Sequence, residues 1–141
     1  MPEKVKVIGN TEEEKDVEQI AQAISRFLKN YELSIEKGEY GYDIYFLDSD
    51  QKEYIVAYVV PEKDKTTGDP YYETFLFLRK PEMIKEMIPK DPVSQFFTWP
   101  DLMSPIVEKM KSYLENFEIT HSEVSEIVPS FILYLKKQPH A

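Results

Sequence analysis

Val17, Ile20, Ala21, Ile24, Phe27 and Leu28 recur at three- and four-residue steps, separated mostly by charged or polar residues. That spacing lays a single apolar stripe along a helix. Its start is marked by Thr11-Glu-Glu-Glu14, a capping box in which the Thr11 hydroxyl and the Glu14 carboxylate each take an orphan amide. Acids at 12, 13 and 14 suit the positive end of the helix dipole, and the pattern ends the helix near Asn30. Upstream, Val5-Lys-Val-Ile8 reads as a short edge strand.

The period then drops to two. Tyr31, Leu33 and Ile35 alternate with Glu32, Ser34 and Glu36, predicting a first strand. Three tyrosine-rich runs follow, Gly41 to Asp48, Glu53 to Val60 and Tyr71 to Arg79. Alternation over such runs, with short polar breaks between them, predicts an antiparallel meander. Asp48-Ser-Asp-Gln-Lys52 suits a hairpin connection, and 61–70 reads as a polar loop. Pro61 is expected to end the third strand, because proline cannot donate to the ladder. Both faces of these strands carry apolar side chains, so both are expected to be covered at least in part.

Downstream, Pro81 opens a short helix carrying Met83, Ile84, Met87 and Ile88. Pro100-Asp101 begins a longer one with Leu102, Met103, Ile106, Val107, Met110, Tyr113, Leu114 and Phe117 on one side. Val124, Ile127, Val128, Phe131, Ile132 and Leu135 keep helical spacing after Thr120-His-Ser-Glu123. Pro129 interrupts that pattern, so a strand over 130–135 competes, and the helix is the favoured reading. The expectation is an α+β fold over 1–141 as one domain. It has an antiparallel four-stranded meander sheet packed by an N-terminal helix and two to three C-terminal helices.

Composition narrows the classes. A chain of 141 residues is long enough to bury a full core. With 42% hydrophobic and 30% charged residues it reads as a globule rather than a disordered tail. No cysteine is present, which excludes disulfides and thiolate chemistry. The charged N-terminus is unlike a signal peptide and no apolar run approaches a bilayer span, so a cytoplasmic protein without membrane contact is expected. Lysine and glutamate enrichment leans towards a thermophile, a bias that an AT-rich genome also produces.

Net charge is −9, and residues 31–70 hold ten acids against four bases, six of those nine charges. An acidic surface repels phosphate backbones, so nucleic acid is not an expected partner. A protein partner, or a second copy of the chain, is.

Candidate chemistry is thin. The imidazoles are His121, at an expected helix start, and His140, the penultimate residue. Glycines at 9, 38, 41 and 68 form no phosphate-binding loop. No catalytic residue, metal ligand or cofactor is assigned. The order helix, strands, helix resembles that of the restriction-endonuclease-like nucleases, with Asp43 on the second strand. Where those enzymes carry Glu-x-Lys, however, this chain reads Ala57-Tyr58-Val59. A degenerate divalent-metal hydrolase using Asp43, Asp48 and Glu53 is therefore the alternative, beside a carrier of small apolar ligands with a pocket lined by Phe75, Phe77, Met103 and Met110.

The leading expectation is a non-enzymatic, acidic protein-interaction module of adaptor or chaperone-like type, with self-association open. Phe96, Phe97 and Trp99, between Pro92 and Pro100, have the make-up of interface anchors, and Tyr54 and Tyr58 of a half-wet sheet face. The acidic character and the helix leading into an antiparallel sheet resemble the type III secretion chaperones, in composition and element order rather than in any motif.

Overall fold

The computed structural model describes residues 11–28, 32–47, 53–77, 103–125 and 130–138. Helix α1 (Glu12–Phe27) leads into β1 (Leu33–Lys37), β2 (Tyr42–Leu47), β3 (Glu53–Lys63) and β4 (Pro70–Leu76). Helix α2 (Met103–Lys111) and a closing hairpin of β5 (Phe117–Ser125) and β6 (Ser130–Lys137) complete the described elements. The architecture is α+β, with an antiparallel sheet and an N-terminal helix. The sheet has six strands in the order β1-β2-β3-β4-β6-β5, so the meander is extended by a hairpin whose second strand inserts beside β4.

Two expectations are corrected by this. The sheet has six strands instead of four, and among the described residues there are two helices rather than an N-terminal helix with two or three more behind it. The segment read as a C-terminal helix is β5 and β6. The reason lies in where β6 sits. A strand with neighbours on both sides and apolar material on both faces shows a continuous apolar run, not an alternation. Ser130-Phe-Ile-Leu-Tyr-Leu135 is such a run, and its apolar residues mimic helical spacing by being nearly all apolar.

Helix α2 is also shorter than the apolar spacing to Phe117 suggests. The amides of Tyr113 and Leu114 both bond to the Met110 carbonyl, at 3.0 and 3.1 Å, and the Ser112 hydroxyl donates to the Lys109 carbonyl at 2.6 Å. These contacts satisfy the last carbonyls of the helix and turn the chain into β5. Strand β3, by contrast, runs past Pro61 to Lys63. Its ladder with β2 ends at Val59, so Pro61 has only Tyr72 of β4 opposite it, the edge position that proline tolerates. The helix expected from Pro81 and the strand expected at 5–8 lie outside the described residues.

Helix α1 begins as its sequence demands, with the Glu14 amide donating to the Thr11 hydroxyl oxygen at 3.1 Å. That hydroxyl in turn donates to the Glu14 carboxylate at 2.8 Å, so the Thr11 half of the capping box forms while Glu14 takes the hydroxyl rather than the expected amide. The helix ends at Phe27, three residues before Asn30, with Leu28 as its C-cap. Its stripe (Val17, Ile20, Ala21, Ile24, Phe27) meets one face of the sheet. The matching sheet residues include Leu33, Ile35, Tyr42, Ile44, Ala57, Val59, Tyr72, Leu76, Phe131, Leu133 and Leu135, all buried. Ile106 and Met110 of α2 close the same core, and Lys109 caps the Phe27 ring at 5.8 Å. Both helices therefore pack on one side.

Thr74 lies in the middle of that core, with Val59 and Leu133 opposite it on the neighbouring strands. It is fully buried, and its hydroxyl finds no hydrogen-bond partner among the described residues. An unpaired buried hydroxyl costs roughly 1–3 kcal/mol. Thr74→Val keeps the shape and removes the cost, so urea unfolding should show the variant more stable than the parent by about 1 kcal/mol. A clear loss of stability would mean that the hydroxyl is satisfied.

Candidate functional site

Two polar regions stand out, one beneath the start of α1 and one on the opposite side of the sheet. Asp16 belongs to the buried register of α1, four residues before Ile20, and is 3% exposed. The Tyr72 hydroxyl donates to its Oδ2 at 2.6 Å, and the Lys137 ammonium lies 3.1 Å from Oδ1. Lys137 also bonds to Glu12, and the Tyr42 hydroxyl donates to Glu13 at 2.5 Å. Acids in the first turns of one helix thus clasp β2, β4 and β6. Burial, then the bond to Asp16, pushes the Tyr72 phenol far above its ordinary range, and burial followed by Glu13 does the same for Tyr42. Lys137 is held above its usual value, by Glu12 first. These are closed interactions: each group meets a partner, and they fix the helix on the sheet.

Sequence reasoning missed this cluster. One signal was present, because an aspartate in phase with an apolar stripe must be either buried with partners or misplaced.

The other face of the sheet carries no helix among the described residues. Cross-strand register sorts its side chains into rows. One row runs Glu36, Asp43, Tyr58, Phe75, Ile132 and Glu123 across β1 to β5. A second runs Val60, Glu73, Tyr134 and His121, and a third Glu62, Tyr71, Lys136 and Glu118. Tyr58, Val60, Tyr71, Phe75 and Tyr134 are all half-buried, and Ile55 is 38% exposed. The Tyr58 and Phe75 rings lie 6.2 Å apart and tilted, and Phe75 stacks with Phe77 at 6.5 Å. Gly41 makes room for this arrangement: a Cβ there would stand 2.9 Å from the Tyr58 ring and 2.6 Å from the Val59 carbonyl oxygen.

The charged groups of this face are mostly carboxylates. Glu73 accepts from the Tyr134 hydroxyl at 3.2 Å, and burial with nearby Glu73 pushes that phenol up to about 12. His121, expected near a helix start, lies on β5, 3.1 Å from Glu123 and over the Tyr134 ring. Glu36 and Asp43 stand directly opposite each other without an ion-pair partner among the described residues. Burial, and then Glu36, holds the Asp43 carboxyl above its ordinary value.

At the β3–β4 end, Lys63, Lys65, Lys136 and His121 border an open groove of about 430 Å³. Its acids already have partners. Asp64 accepts the amides of Thr66 and Thr67 at 2.8 and 3.0 Å, which holds its carboxyl below the usual range, and Asp69 lies 3.9 Å from Lys136. Gly68, at φ 76°, takes the left-handed position of that loop.

Of the residues singled out from sequence, Tyr58 lies at the centre of the open face. Tyr54 pairs with Phe46 in the β2–β3 ladder, and its side chain is outside the description. Phe96, Phe97 and Trp99 lie outside the described residues, as does Asp48, so the set Asp43, Asp48 and Glu53 is not brought together there. Among the described residues no group of three His, Asp or Glu is placed to hold a metal ion, and no helix is long and apolar enough to cross a membrane. Phe75 and Phe77 are on the open side, Met103 and Met110 on the helix side, so the four do not line one pocket. No protein-family model matches this chain, nor does any curated protein or solved structure.

The buried clasp makes two predictions. Asp16→Ala leaves the Lys137 ammonium mostly buried without its innermost partner, and should lower unfolding free energy by about 3 kcal/mol in urea titration. A loss under about 1 kcal/mol would show that the pair is not load-sharing. Tyr72 and Tyr42 have folded values above their unfolded value of 10.0, so their contribution is complete below that pH and lost as pH rises beyond it. Alkaline unfolding should therefore begin above about pH 10. Tyr72→Phe should be less stable at neutral pH yet show a shallower alkaline decline, followed by circular dichroism. An unchanged alkaline slope would remove Tyr72 from the account.

Proposed function

We propose that this chain is a protein-binding module, adaptor or chaperone-like, that works through the helix-free face of its sheet. The observation that carries the reading is the set of half-exposed rings, Tyr58, Tyr71, Phe75 and Tyr134, on a face where the described elements place no covering layer. Contiguous apolar surface rimmed by polar groups marks interaction sites. Aromatic rings that present large area with few rotatable bonds make good anchors. The acidic charge and the order of a helix leading into an antiparallel sheet, the likeness to type III secretion chaperones noted above, point the same way. Binding a protein asks nothing of the chain in catalytic groups, and in the best-formed polar cluster both Asp16 oxygens are already engaged by Tyr72 and Lys137.

Self-association through the same face is one form of this activity, since a two-fold interface needs only one self-complementary surface. Tyr58→Ser/Phe75→Ser tests the reading, with light scattering for oligomeric state and affinity capture for partners. The variant should keep its fold and lose an interaction that the wild type makes. If it unfolds near room temperature, the rings are core and the reading fails. It fails equally if the variant retains every interaction of the parent.

A further inference from the structure

The row that crosses the open face is not uniform, and its two ends differ in chemistry. At the β4–β6 side, Phe75 and Ile132 are apolar. At the β1–β2 side, Glu36 and Asp43 face each other across the ladder, with Tyr58 next in line. We propose that this row is the docking strip for an extended, lysine- or arginine-bearing segment of a partner protein, its cation set between Glu36, Asp43 and the Tyr58 ring. The inference rests on the protein-binding reading above and names the chemistry of the partner.

Charge complementarity selects this occupant. The open face carries Glu36, Asp43, Glu62, Glu73, Glu118 and Glu123, against Lys136 and His121, with Lys63 and Lys65 at the β3–β4 end, away from the Glu36–Asp43 pair. Three of those acids have a partner or are remote from the strip: Glu73 accepts from Tyr134, Glu123 meets His121, and Glu118 stands opposite Lys136. Glu36 and Asp43 have none among the described residues. Like charges placed directly opposite on neighbouring strands destabilise a sheet, so this pair is a cost that the free protein carries. A cation between them removes the repulsion, and the same cation lies within reach of a tyrosine face that attracts it electrostatically. A second copy of the chain, docked by the same face, brings mostly carboxylates to it, so self-association is the less favoured occupant of this strip. An acidic or phosphate-bearing partner is disfavoured for the same reason.

Geometry sets the length of the segment. Strands stand about 4.8 Å apart, so the five strands from β1 to β6 span roughly 19 Å. That is the reach of about six extended residues. A segment with a basic residue at one end and apolar residues further along would match both ends of the strip.

The test uses the whole chain with two labelled peptides, one alternating lysine with valine and the other glutamine with valine, followed by fluorescence anisotropy and by amide shifts in the nuclear magnetic resonance spectrum. The lysine peptide should bind with shifts centred on Asp43, Tyr58 and Phe75, and more weakly as salt rises. Glu36→Gln/Asp43→Asn should weaken it about tenfold, roughly 1.4 kcal/mol. That variant loses a repulsion and so should fold at least as well as the parent. Glu108→Gln/Glu115→Gln removes the same charge from the helix side, and should leave binding unchanged. If both charge variants weaken binding equally, attraction to net charge explains it and the strip is not a site. If the glutamine peptide binds as well as the lysine peptide, and Tyr58→Ser/Phe75→Ser abolishes both, the face binds proteins but the basic-partner inference falls. If none of the variants changes any binding, both readings fall together.

Discussion

Asp16 ties together parts of the chain that are far apart in sequence. Its two oxygens hold Tyr72 of β4 and Lys137 of β6, while its helix neighbours Glu12 and Glu13 reach Lys137 and Tyr42. The apolar stripe of α1 supplies most of the attraction between helix and sheet, but that attraction is non-directional and tolerates sliding. Hydrogen bonds of 2.5–3.1 Å to side chains on three different strands do not. Burying a carboxylate is justified only when its partners are in place, so the cluster rewards one position of the helix and penalises the rest. The chain's first described helix and its last described strand are fixed in the same contact.

Among the described residues both helices pack on one side of the sheet, and that shapes the strands. Positions on the helix side are filled by Ile44, Ala57, Val59, Leu76 and Leu133, all under 1% exposed. Positions on the other side mix rings with carboxylates, a composition that neither a dry core nor a fully wet face would select. Tyrosine suits such a surface because the ring packs on its neighbours while the hydroxyl stays near water. The same mixture protects the sheet from pairing with others. Of the two edge strands, β1 is five residues long and β5 is broken by a register shift between Ile119 and His121. Short or bulged edges are poor templates for a foreign strand. Among the described residues neither edge offers a long regular strand, which favours the face over an edge for the contact proposed above.

What could be read in the sequence was what repeats with a clean period. The α1 stripe, its Thr11 start and the alternation in β1 to β4 each have one interpretation, and the meander is where they put it. The hairpin at the C-terminal side was obscured because an interior strand loses its alternation. Phe131 to Leu135 is apolar throughout, and such a run fits a helix template as well as a strand. Pro129, immediately before β6, was the better guide, since a proline there interrupts a helix but only precedes a strand. For the candidate site, the tyrosine richness of the strands was visible, and Tyr58 was singled out for it. The opposition of Glu36 and Asp43 was not, because it exists only once β1 and β2 are in register. Asp16 was legible in phase but not in partners, as Tyr72 and Lys137 lie 56 and 121 residues further along.

The two polar regions differ in how complete they are, and that difference bears on function. Around Asp16 the Tyr72 hydroxyl, the Lys137 ammonium and the nearby Tyr42 hydroxyl each meet a carboxylate of α1. On the open face, among the described residues, the rings are half-buried and two carboxylates stand opposite each other without a counter-ion. Folding alone does not favour such an arrangement: placing asparagine or threonine at either position would retain the strand and remove the repulsion. The open face thus holds its cost at the surface, apart from the unpaired hydroxyl that Thr74 keeps in the core. Free energy of association can come only from groups that gain on binding, and on the proposed protein-binding reading those groups are the Glu36–Asp43 pair and the rings beside it.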